Sequence, residues 1–235
     1  MFLTDFDRFI GTGQLNFKGQ TLEEFLKDYN PKAYDNPSNT VDIVVFGYDI
    51  VDEKLKVNKV LLIKRANHPC IGLYALPGGF VEYREDLENS AKRELFEETN
   101  LDNVRIEQFA TYGDYDRDPR TRVITTAYVA LAPNEKISVQ AGDDAKEAKM
   151  FDFSCIKTFE NTKEGVRREE FTLEFQADGS ILEAVVEKNY YTDAILREEK
   201  YSVVKSDLSA DHAAIIANAF CYIEDKLERR RLWQR

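Results

Sequence analysis

Cysteine, histidine and tryptophan are scarce in this sequence, which has three, two and one of them in 235 residues. Cys70, Cys155 and Cys221 are odd in number and widely spaced. This spacing excludes a disulfide framework and a Cys-x-x-Cys zinc clip. We therefore expect reduced thiols and a cytoplasmic location, because disulfides are rare in the cytoplasm.

Long hydrophobic runs are also missing. No stretch approaches 18 consecutive apolar residues, so we expect no contact with a membrane. The apolar residues near the N-terminus are interrupted by Asp5, Asp7 and Arg8, so the pattern does not fit the apolar core of a signal peptide.

Basic charge is in deficit as well. Lys and Arg number 32 and Asp and Glu number 43, which gives a net charge of −11. Such a balance argues against a protein that binds nucleic acid electrostatically. Hydrophobic residues make up 43% of the chain, so it can bury a core as one large domain or as a domain with a small appendage.

Apolar periodicity and turn residues predict the order of helices and strands. Residues 49–56 read as a polar turn, Asp178-Gly179 as a hairpin turn and Ser209 as a helix N-cap. The predicted elements are a helix over 21–29, strands over 41–48, 60–63, 104–112, 123–132 and 148–153, a helix over 85–99, a hairpin over 168–188 and a helix over 209–227.

Three carboxylates share one face of the predicted helix over 85–99. Glu94, Glu97 and Glu98 are spaced i, i+3 and i+4, so they are neighbours that repel one another. They border the apolar stripe that contains Ala91 and Leu95. Two interpretations remain open: a charged surface helix, or a site for a hard divalent cation such as Mg²⁺, which prefers oxygen ligands. Pro77-Gly78-Gly79 just upstream favours the cation site, because glycine lets the backbone approach a ligand closely.

The same segment resembles the Nudix box, G-x5-E-x7-R-E-U-x-E-E-x-G-U, where U is aliphatic. One position departs from the pattern, since Asn100 stands where the box has its last glycine. Asparagine also tolerates the left-handed conformation that ends such a helix. The matching residues are Gly79, Glu85, Arg93, Glu94, Leu95, Glu97, Glu98 and Leu101.

Further segments, at 29–46, 61–65, 76–82, 113–120 and 142–151, resemble the Nudix branch that contains ADP-ribose pyrophosphatases and Nudix-related transcriptional regulators. The resemblance implies an α/β Nudix fold, with a mixed sheet sandwiched between helices. We expect a Nudix domain over 1–155, including an N-terminal extension over 1–40. A C-terminal extension over 156–235 would add the hairpin and the last helix.

The resemblance also implies roles for the residues of the box. Gly78, Glu94, Glu97 and Glu98 would bind Mg²⁺, with Mn²⁺ as an alternative. Arg93 would orient the carboxylates, Glu85 would be its partner, and Gly79 would be structural. The catalytic candidates are Glu94, Glu98 and, on a later loop, Glu147, which could equally be a solvated acid.

Four charged residues are candidates for binding a pyrophosphate, because the planar guanidinium group of arginine matches phosphate oxygens. A surface turn with internal charge pairs is the competing interpretation for three of them. His68 and His212 lie in no triad or metal spacing, so we expect structural roles for both. The substrate candidates are Arg65, Arg117, Asp118 and Arg120.

Two functions are compatible with the resemblance. The first is a Mg²⁺-dependent pyrophosphatase that hydrolyses a nucleotide sugar or dinucleotide, most simply ADP-ribose to AMP and ribose 5-phosphate. The second is a ligand-sensing regulator with little or no catalysis. We expect the enzyme and no nucleic-acid partner, since no winged-helix segment follows the helix over 209–227. An apolar hairpin face at Phe171, Leu173 and Phe175 needs a cover, and members of this branch are often dimers, so we expect a homodimer.

Overall fold

The computed structural model describes residues 2–3, 5–102, 104–139, 145–193, 195 and 198–233. The chain forms two compact units, Met1–Asn36 and Pro37–Arg235. In the first, α1 (Leu22–Asp28) begins at a capping box in which Thr21 and Glu24 each accept a hydrogen bond from the other's backbone N–H. No helix within the described ranges is long and apolar enough to cross a membrane.

The second unit is built on one mixed sheet with a helix on each face. Within the described residues the strand order is β10-β9-β8-β7-β2-β1-β6-β5, with β3 beside β2 and β4 beside β1. The β1 and β6 pair is parallel, and the other pairs are antiparallel. The elements are β1 (Ser38–Val51), β2 (Lys54–Arg65), β3 (Tyr74–Ala75), β4 (Gly78–Phe80), α2 (Leu87–Thr99), β5 (Ile106–Tyr112), β6 (Val123–Pro133), β7 (Ala145–Lys163), β8 (Val166–Ala177), β9 (Ser180–Tyr191), β10 (Lys200–Ser206) and α3 (His212–Trp233).

Alternate residues of β1 face two separate cores. Ile43 and Val45 pack with the apolar stripe of α2, whereas Val44 and Phe46 pack in the cluster that contains α3. Side chains of successive strand residues point to opposite faces, so a strand buried on both sides reads as a continuous apolar run. The sheet therefore lies between helices, and the predicted fold class is confirmed.

The apolar face of the C-terminal hairpin is covered within the chain. Phe171, Leu173 and Phe175 are buried in the same cluster as α3. Phe153 contacts Phe175 at 5.5 Å and Phe220 of α3 at 5.6 Å between ring centroids. The expectation that this face requires a partner subunit was wrong, because α3 packs on it. Dimerisation stays a prediction without that support.

Of two predicted turns in the sheet, one is confirmed and the other is wrong. Asp178 and Gly179 have φ values of 48° and 76°, which confirms the predicted hairpin turn. Residues 49–56 are not a polar turn: β1 continues to Val51 and β2 begins at Lys54. The reversal takes only Asp52 and Glu53, which both adopt positive φ. The strand ends are mostly exposed, and charged residues there interrupt the apolar pattern, which concealed the rest of this hairpin.

The remaining boundaries shift along the chain. β2 and β7 are much longer than the predicted strands over 60–63 and 148–153. The expected domain division between residues 155 and 156 falls inside β7, which both parts share. Helix α3 begins at His212, three residues after the predicted N-cap. Helix α2 ends at Thr99, and Asn100 takes the expected left-handed conformation with φ of 53°.

Candidate active site

A cleft of about 980 Å³ opens in the second unit where β4, α2, the loop before β6 and the start of α3 meet. It is lined by the carboxylates of α2, by Arg65 at the end of β2 and by the arginines of the loop before β6. Gly79 and Arg93 also line it, whereas Glu85 and Glu147 do not. The predicted metal and substrate residues all line this cleft: Gly78, Glu94, Glu97, Glu98, Arg65, Arg117, Asp118 and Arg120.

Both glycines of β4 are required by close contacts. A Cβ atom on Gly78 would lie 2.1 Å from the carbonyl oxygen of Val41 in the neighbouring β1 strand. A Cβ atom on Gly79 would lie 2.4 Å from a carboxylate oxygen of Glu94. Any side chain here would push the strand from the sheet or the carboxylate from the strand. The glycine pair therefore brings β4 and the acidic face of α2 together.

Glu98 connects α2 to the glycine strand β4. Its Oε2 atom accepts a hydrogen bond of 2.8 Å from the backbone N–H of Gly78. Burial raises the pKa of Glu98 to about 8, and the nearby carboxylates of Glu94 and Asp42 add to the rise. Burial also raises the pKa of Glu94, against the lowering effect of Arg93. Negative charge at this site is therefore costly until a cation compensates for it.

Arg93 connects the carboxylates of the helix. Its Nε and Nη2 atoms donate to the two oxygens of Glu85 at 2.9 and 2.8 Å, which is the pairing that the motif predicts. Its Nη1 atom donates to Glu94 at 2.7 Å and to Glu97 at 3.0 Å. Among the described residues, no group of three or more Asp, Glu, His or Cys side chains is arranged to hold a metal ion.

Glu147 lies on β7, paired with Lys64 of β2. Its Oε2 atom accepts a hydrogen bond of 2.6 Å from the hydroxyl group of Tyr74, and its carboxylate also pairs with Lys149. These two partners lower the pKa of Glu147. The structure thus does not bring Glu147 to the cluster on α2. Residues 142–144, which precede β7 in the sequence, lie outside the described residues.

The substrate candidates differ in how their charges are compensated. Arg117 is almost buried and donates two hydrogen bonds of 2.9 Å to Asp211, with Asp42 at 3.6 Å. Arg120 is half exposed and pairs with Asp118 at 2.8 Å. Arg65 donates to the carbonyl oxygen of Pro69 at 2.7 Å, and none of the described carboxylates pairs with it. Arg65 therefore brings the least compensated positive charge to the cleft.

Three cleft residues belong to no local sequence motif: Asp42, Asp211 and His212. Asp42 interrupts the apolar run of β1, and a buried charge in a strand is the one hint available. Asp211 and His212 lie about 90 or more residues from their partners Arg117 and Leu76, so no local spacing could reveal those contacts. The expected structural role of His212 corresponds to its hydrogen bond with the backbone N–H of Leu76.

A family model described as "NUDIX domain" matches residues 40–174, which is more than half of the chain. The chain belongs to the Nudix family. This Nudix chain is 40% identical over 131 residues to an ADP-ribose pyrophosphatase of Methanocaldococcus jannaschii, covering 56% of this chain and 70% of that one. The present chain is a Nudix hydrolase. The start of α3 lies beyond the range that the family model matches.

Two further proteins are similar to this chain. An ADPR responsive transcriptional repressor, NtrR, of Acinetobacter baylyi is 38% identical over 120 residues, covering 50% of this chain but only 45% of the repressor. The crystal structure of a MutT/nudix family protein from Enterococcus faecalis is similar with a TM-score of 0.60 and 32% identity, covering 88% of this chain and 70% of that chain. The Enterococcus structure supports the fold over most of the chain.

Proposed function

We propose that this Nudix hydrolase is a divalent-metal-dependent pyrophosphatase that cleaves ADP-ribose to AMP and ribose 5-phosphate. The observation that carries the proposal is the cleft itself, because it is lined both by the carboxylates of α2 and by the guanidinium groups of Arg65 and Arg120. A pyrophosphate needs both, because hydrolysis depends on positioning and on neutralising its charge. The similarity to the archaeal pyrophosphatase supports the choice of substrate.

The donor set of the cleft fits Mg²⁺ or Mn²⁺. Glu94, Glu97 and Glu98 offer carboxylate oxygens, and the carbonyl of Gly78 would complete the set. Burial and crowding raise the pKa of Glu94 and Glu98, so a bound cation would remove an unfavourable repulsion. A divalent ion held there supplies Lewis-acid neutralisation of the pyrophosphate.

The protein's own groups position the substrate and move the proton. Arg93 holds Glu94 in place and is itself anchored by Glu85, which leaves the second oxygen of Glu94 available. Arg65 would contact a phosphate oxygen, since none of the described carboxylates pairs with it. Glu94 or Glu98 would accept the proton of the attacking water, because each already lines the cleft. Glu147 stays a prediction, to be tested by its own substitution.

A substrate panel tests the proposal directly. ADP-ribose, other nucleoside diphosphate sugars and dinucleotides are incubated with the protein in Mg²⁺ and in EDTA, and the products are identified by mass. We expect ADP-ribose to give AMP and ribose 5-phosphate in Mg²⁺ and nothing in EDTA. Glu147→Gln should cleave at the parent rate if Glu94 or Glu98 is the base. Absence of cleavage across the panel would contradict the proposal.

The alternative is a ligand-sensing regulator, which the similarity to the NtrR repressor favours. The chain covers less than half of that repressor, so the similarity extends to only part of it. A regulator would bind ADP-ribose in Mg²⁺ and return it intact. Equilibrium dialysis followed by mass analysis of the bound nucleotide distinguishes the two, since the enzyme would release AMP.

A further inference from the structure

The start of α3 forms one wall of the cleft, although it lies outside the range that the family model matches. Ser209, Ala210, Asp211 and His212 all line the cleft, and the matched range ends at residue 174. Residues of the Nudix box, among them Glu94, Glu97 and Glu98, also line the cleft. The C-terminal segment can therefore add contacts to the substrate that the box does not contain.

His212 has a defined orientation in that wall. Its Nδ1 atom accepts a hydrogen bond of 2.8 Å from the backbone N–H of Leu76, and the residue is 8% exposed. Because Nδ1 accepts, the proton of the neutral ring must reside on Nε2. Burial lowers the pKa of His212, which keeps the ring neutral. The imidazole thus presents one N–H donor in a fixed position.

The Nε2–H group has no acceptor among the described residues. Among the described residues, three side-chain atoms are fully enclosed and have no hydrogen-bond partner: Thr125 Oγ1, Asn134 Oδ1 and Tyr201 OH. The Nε2 atom of His212 is not one of them. His212 lines the cleft, and we take its small remaining accessible surface to border that cavity. A nearly buried donor that faces a cleft without a partner is placed to bind a ligand acceptor.

The charges around His212 narrow the identity of that acceptor. Asp42 and Asp211 favour a charge on the ring, and Arg117 and Arg65 oppose it with smaller effects. Arg117 is compensated by its two carboxylate partners, whereas no described carboxylate pairs with Arg65. A neutral donor beside an uncompensated guanidinium group suits an anionic oxygen.

We propose that His212 is a substrate-binding residue, whose Nε2–H donates to a phosphoryl oxygen of the nucleotide next to Arg65. Its Nδ1 atom at the same time holds Leu76, two residues before Gly78, so one ring contacts both the substrate and the segment that leads to the glycine pair. The inference rests on the proposed pyrophosphatase function, because it assumes that a phosphate enters this cleft.

Two substitutions separate the two hydrogen bonds of the ring. In His212→Asn the side-chain oxygen can take the place of Nδ1 and accept from Leu76, but no donor reaches the position of Nε2. In His212→Gln the side-chain amide can supply a donor near Nε2 but no acceptor at Nδ1. We expect His212→Asn to melt near the parent temperature while its Kd for AMP in Mg²⁺ rises about tenfold. His212→Gln should show the reverse, with a lower melting temperature and a smaller loss of affinity.

Nuclear magnetic resonance provides a readout that a purely structural histidine would not move. The chain has only two histidines, so ¹⁵N-histidine labelling gives two ring spectra, and His212→Asn assigns them by loss of one. We expect the His212 Nε2–H resonance to shift on addition of AMP or ribose 5-phosphate in Mg²⁺. Adenosine at the same concentration should leave that resonance in place, because it carries no phosphate.

The outcomes distinguish this inference from the proposed function. If the parent protein cleaves ADP-ribose but His212→Asn has the parent KM and binds AMP equally well, His212 is structural and the inference is wrong. A shift of Nε2–H with adenosine would also overturn it, since the acceptor would then belong to the nucleoside. If the parent cleaves nothing in the substrate panel, the proposed function fails first, and that result is visible without any His212 variant.

Discussion

The helices on the two faces of the sheet approach the same cleft in different ways. On one face α2 brings three carboxylates within five residues, with Arg93 bound to two of them and to Glu85. On the other face α3 is buried over its first half, and His212 at its start and Asp211 just before it line the cleft. The α2 wall therefore carries a cluster of negative charges. The α3 wall carries single residues that pair with distant parts of the chain, Asp211 with Arg117 and His212 with Leu76.

The two walls also respond to pH with opposite signs. Glu98 has a folded-state pKa of about 8 against an ordinary value of 4.5, so without metal its contribution to stability is greatest below 4.5 and is lost as the pH rises towards 8. His212 has a lowered pKa, so its contribution is present above 6.5 and is lost as the pH falls. The α2 wall therefore needs a cation at neutral pH, whereas the α3 wall is stable there as it is.

The largest effect should come from the α2 wall. Glu98→Gln keeps the volume of the side chain and an acceptor for the N–H of Gly78, but it removes a charge that a bound cation needs. We expect kcat for ADP-ribose to fall by at least about 10³-fold, equivalent to roughly 4 kcal/mol. The melting temperature without metal should be unchanged or slightly higher.

The matched control on the same helix is Glu88→Gln. Glu88 is exposed and pairs with Lys92 away from the cleft. Its substitution should leave turnover at the parent rate. Full activity of Glu98→Gln in a rate assay would contradict the assignment of the metal site to α2.

The next effect concerns the ion pair that ties the loop before β6 to the start of α3. Arg117 has only 8% of its side chain exposed, so Arg117→Met leaves Asp211 and Asp42 without their shared cation. We expect the free energy of unfolding to fall by about 3 kcal/mol. Arg120→Met, at a half-exposed pair with Asp118, should cost less than about 1 kcal/mol. Urea titrations of the two variants that gave equal losses would show that the buried pair has no special role.

A smaller effect should follow from metal binding to the folded protein. Mg²⁺ at about 100 times its Kd should add about 2.7 kcal/mol to the free energy of unfolding and raise the melting temperature accordingly. The Glu97→Gln/Glu98→Gln double variant should show no such rise in a thermal melt. If the double variant shifts as the parent does, the ion binds elsewhere.

The smallest predicted effect tests the α3 wall by pH. Below pH 6.5 the unfolded chain takes up a proton that buried His212 refuses, so the free energy of unfolding should fall by about 1.4 kcal/mol per pH unit until the folded-state pKa is reached. His212→Asn should lack this component. The informative quantity is the difference between parent and variant in unfolding at neutral and mildly acidic pH, because other groups titrate in both. Parallel pH profiles would indicate that His212 takes up its proton at the same pH in the folded and unfolded states, which contradicts a lowered pKa.

The sequence predicted the α2 wall far better than the α3 wall, and the reason is the range of the contacts. The spacing of Glu94, Glu97 and Glu98 is a property of one helix, and the Arg93–Glu85 pair spans eight residues. The left-handed Asn100 is likewise decided by its own backbone. Local patterns can predict such features before any tertiary structure is known.

The start of α3 could not be predicted in this way. The Arg117–Asp211 pair spans 94 residues and the Leu76–His212 hydrogen bond spans 136, so both depend on how the sheet brings distant segments together. The same limitation applies to the cover of the C-terminal hairpin, for which the sequence suggested a second subunit although α3 fills that place. The ends of β1 and β2 were missed because charged residues there interrupt the apolar pattern.

The most direct test of the account is to incubate the protein with ADP-ribose and Mg²⁺ and to identify the products by mass, alongside a DNA-binding assay at physiological salt. We predict that the parent protein forms AMP and ribose 5-phosphate and that Glu98→Gln does not. We also predict that the parent protein forms no specific DNA complex. Intact ADP-ribose, together with a salt-resistant and sequence-specific DNA complex, would contradict it and identify the cleft as the sensor of a regulator.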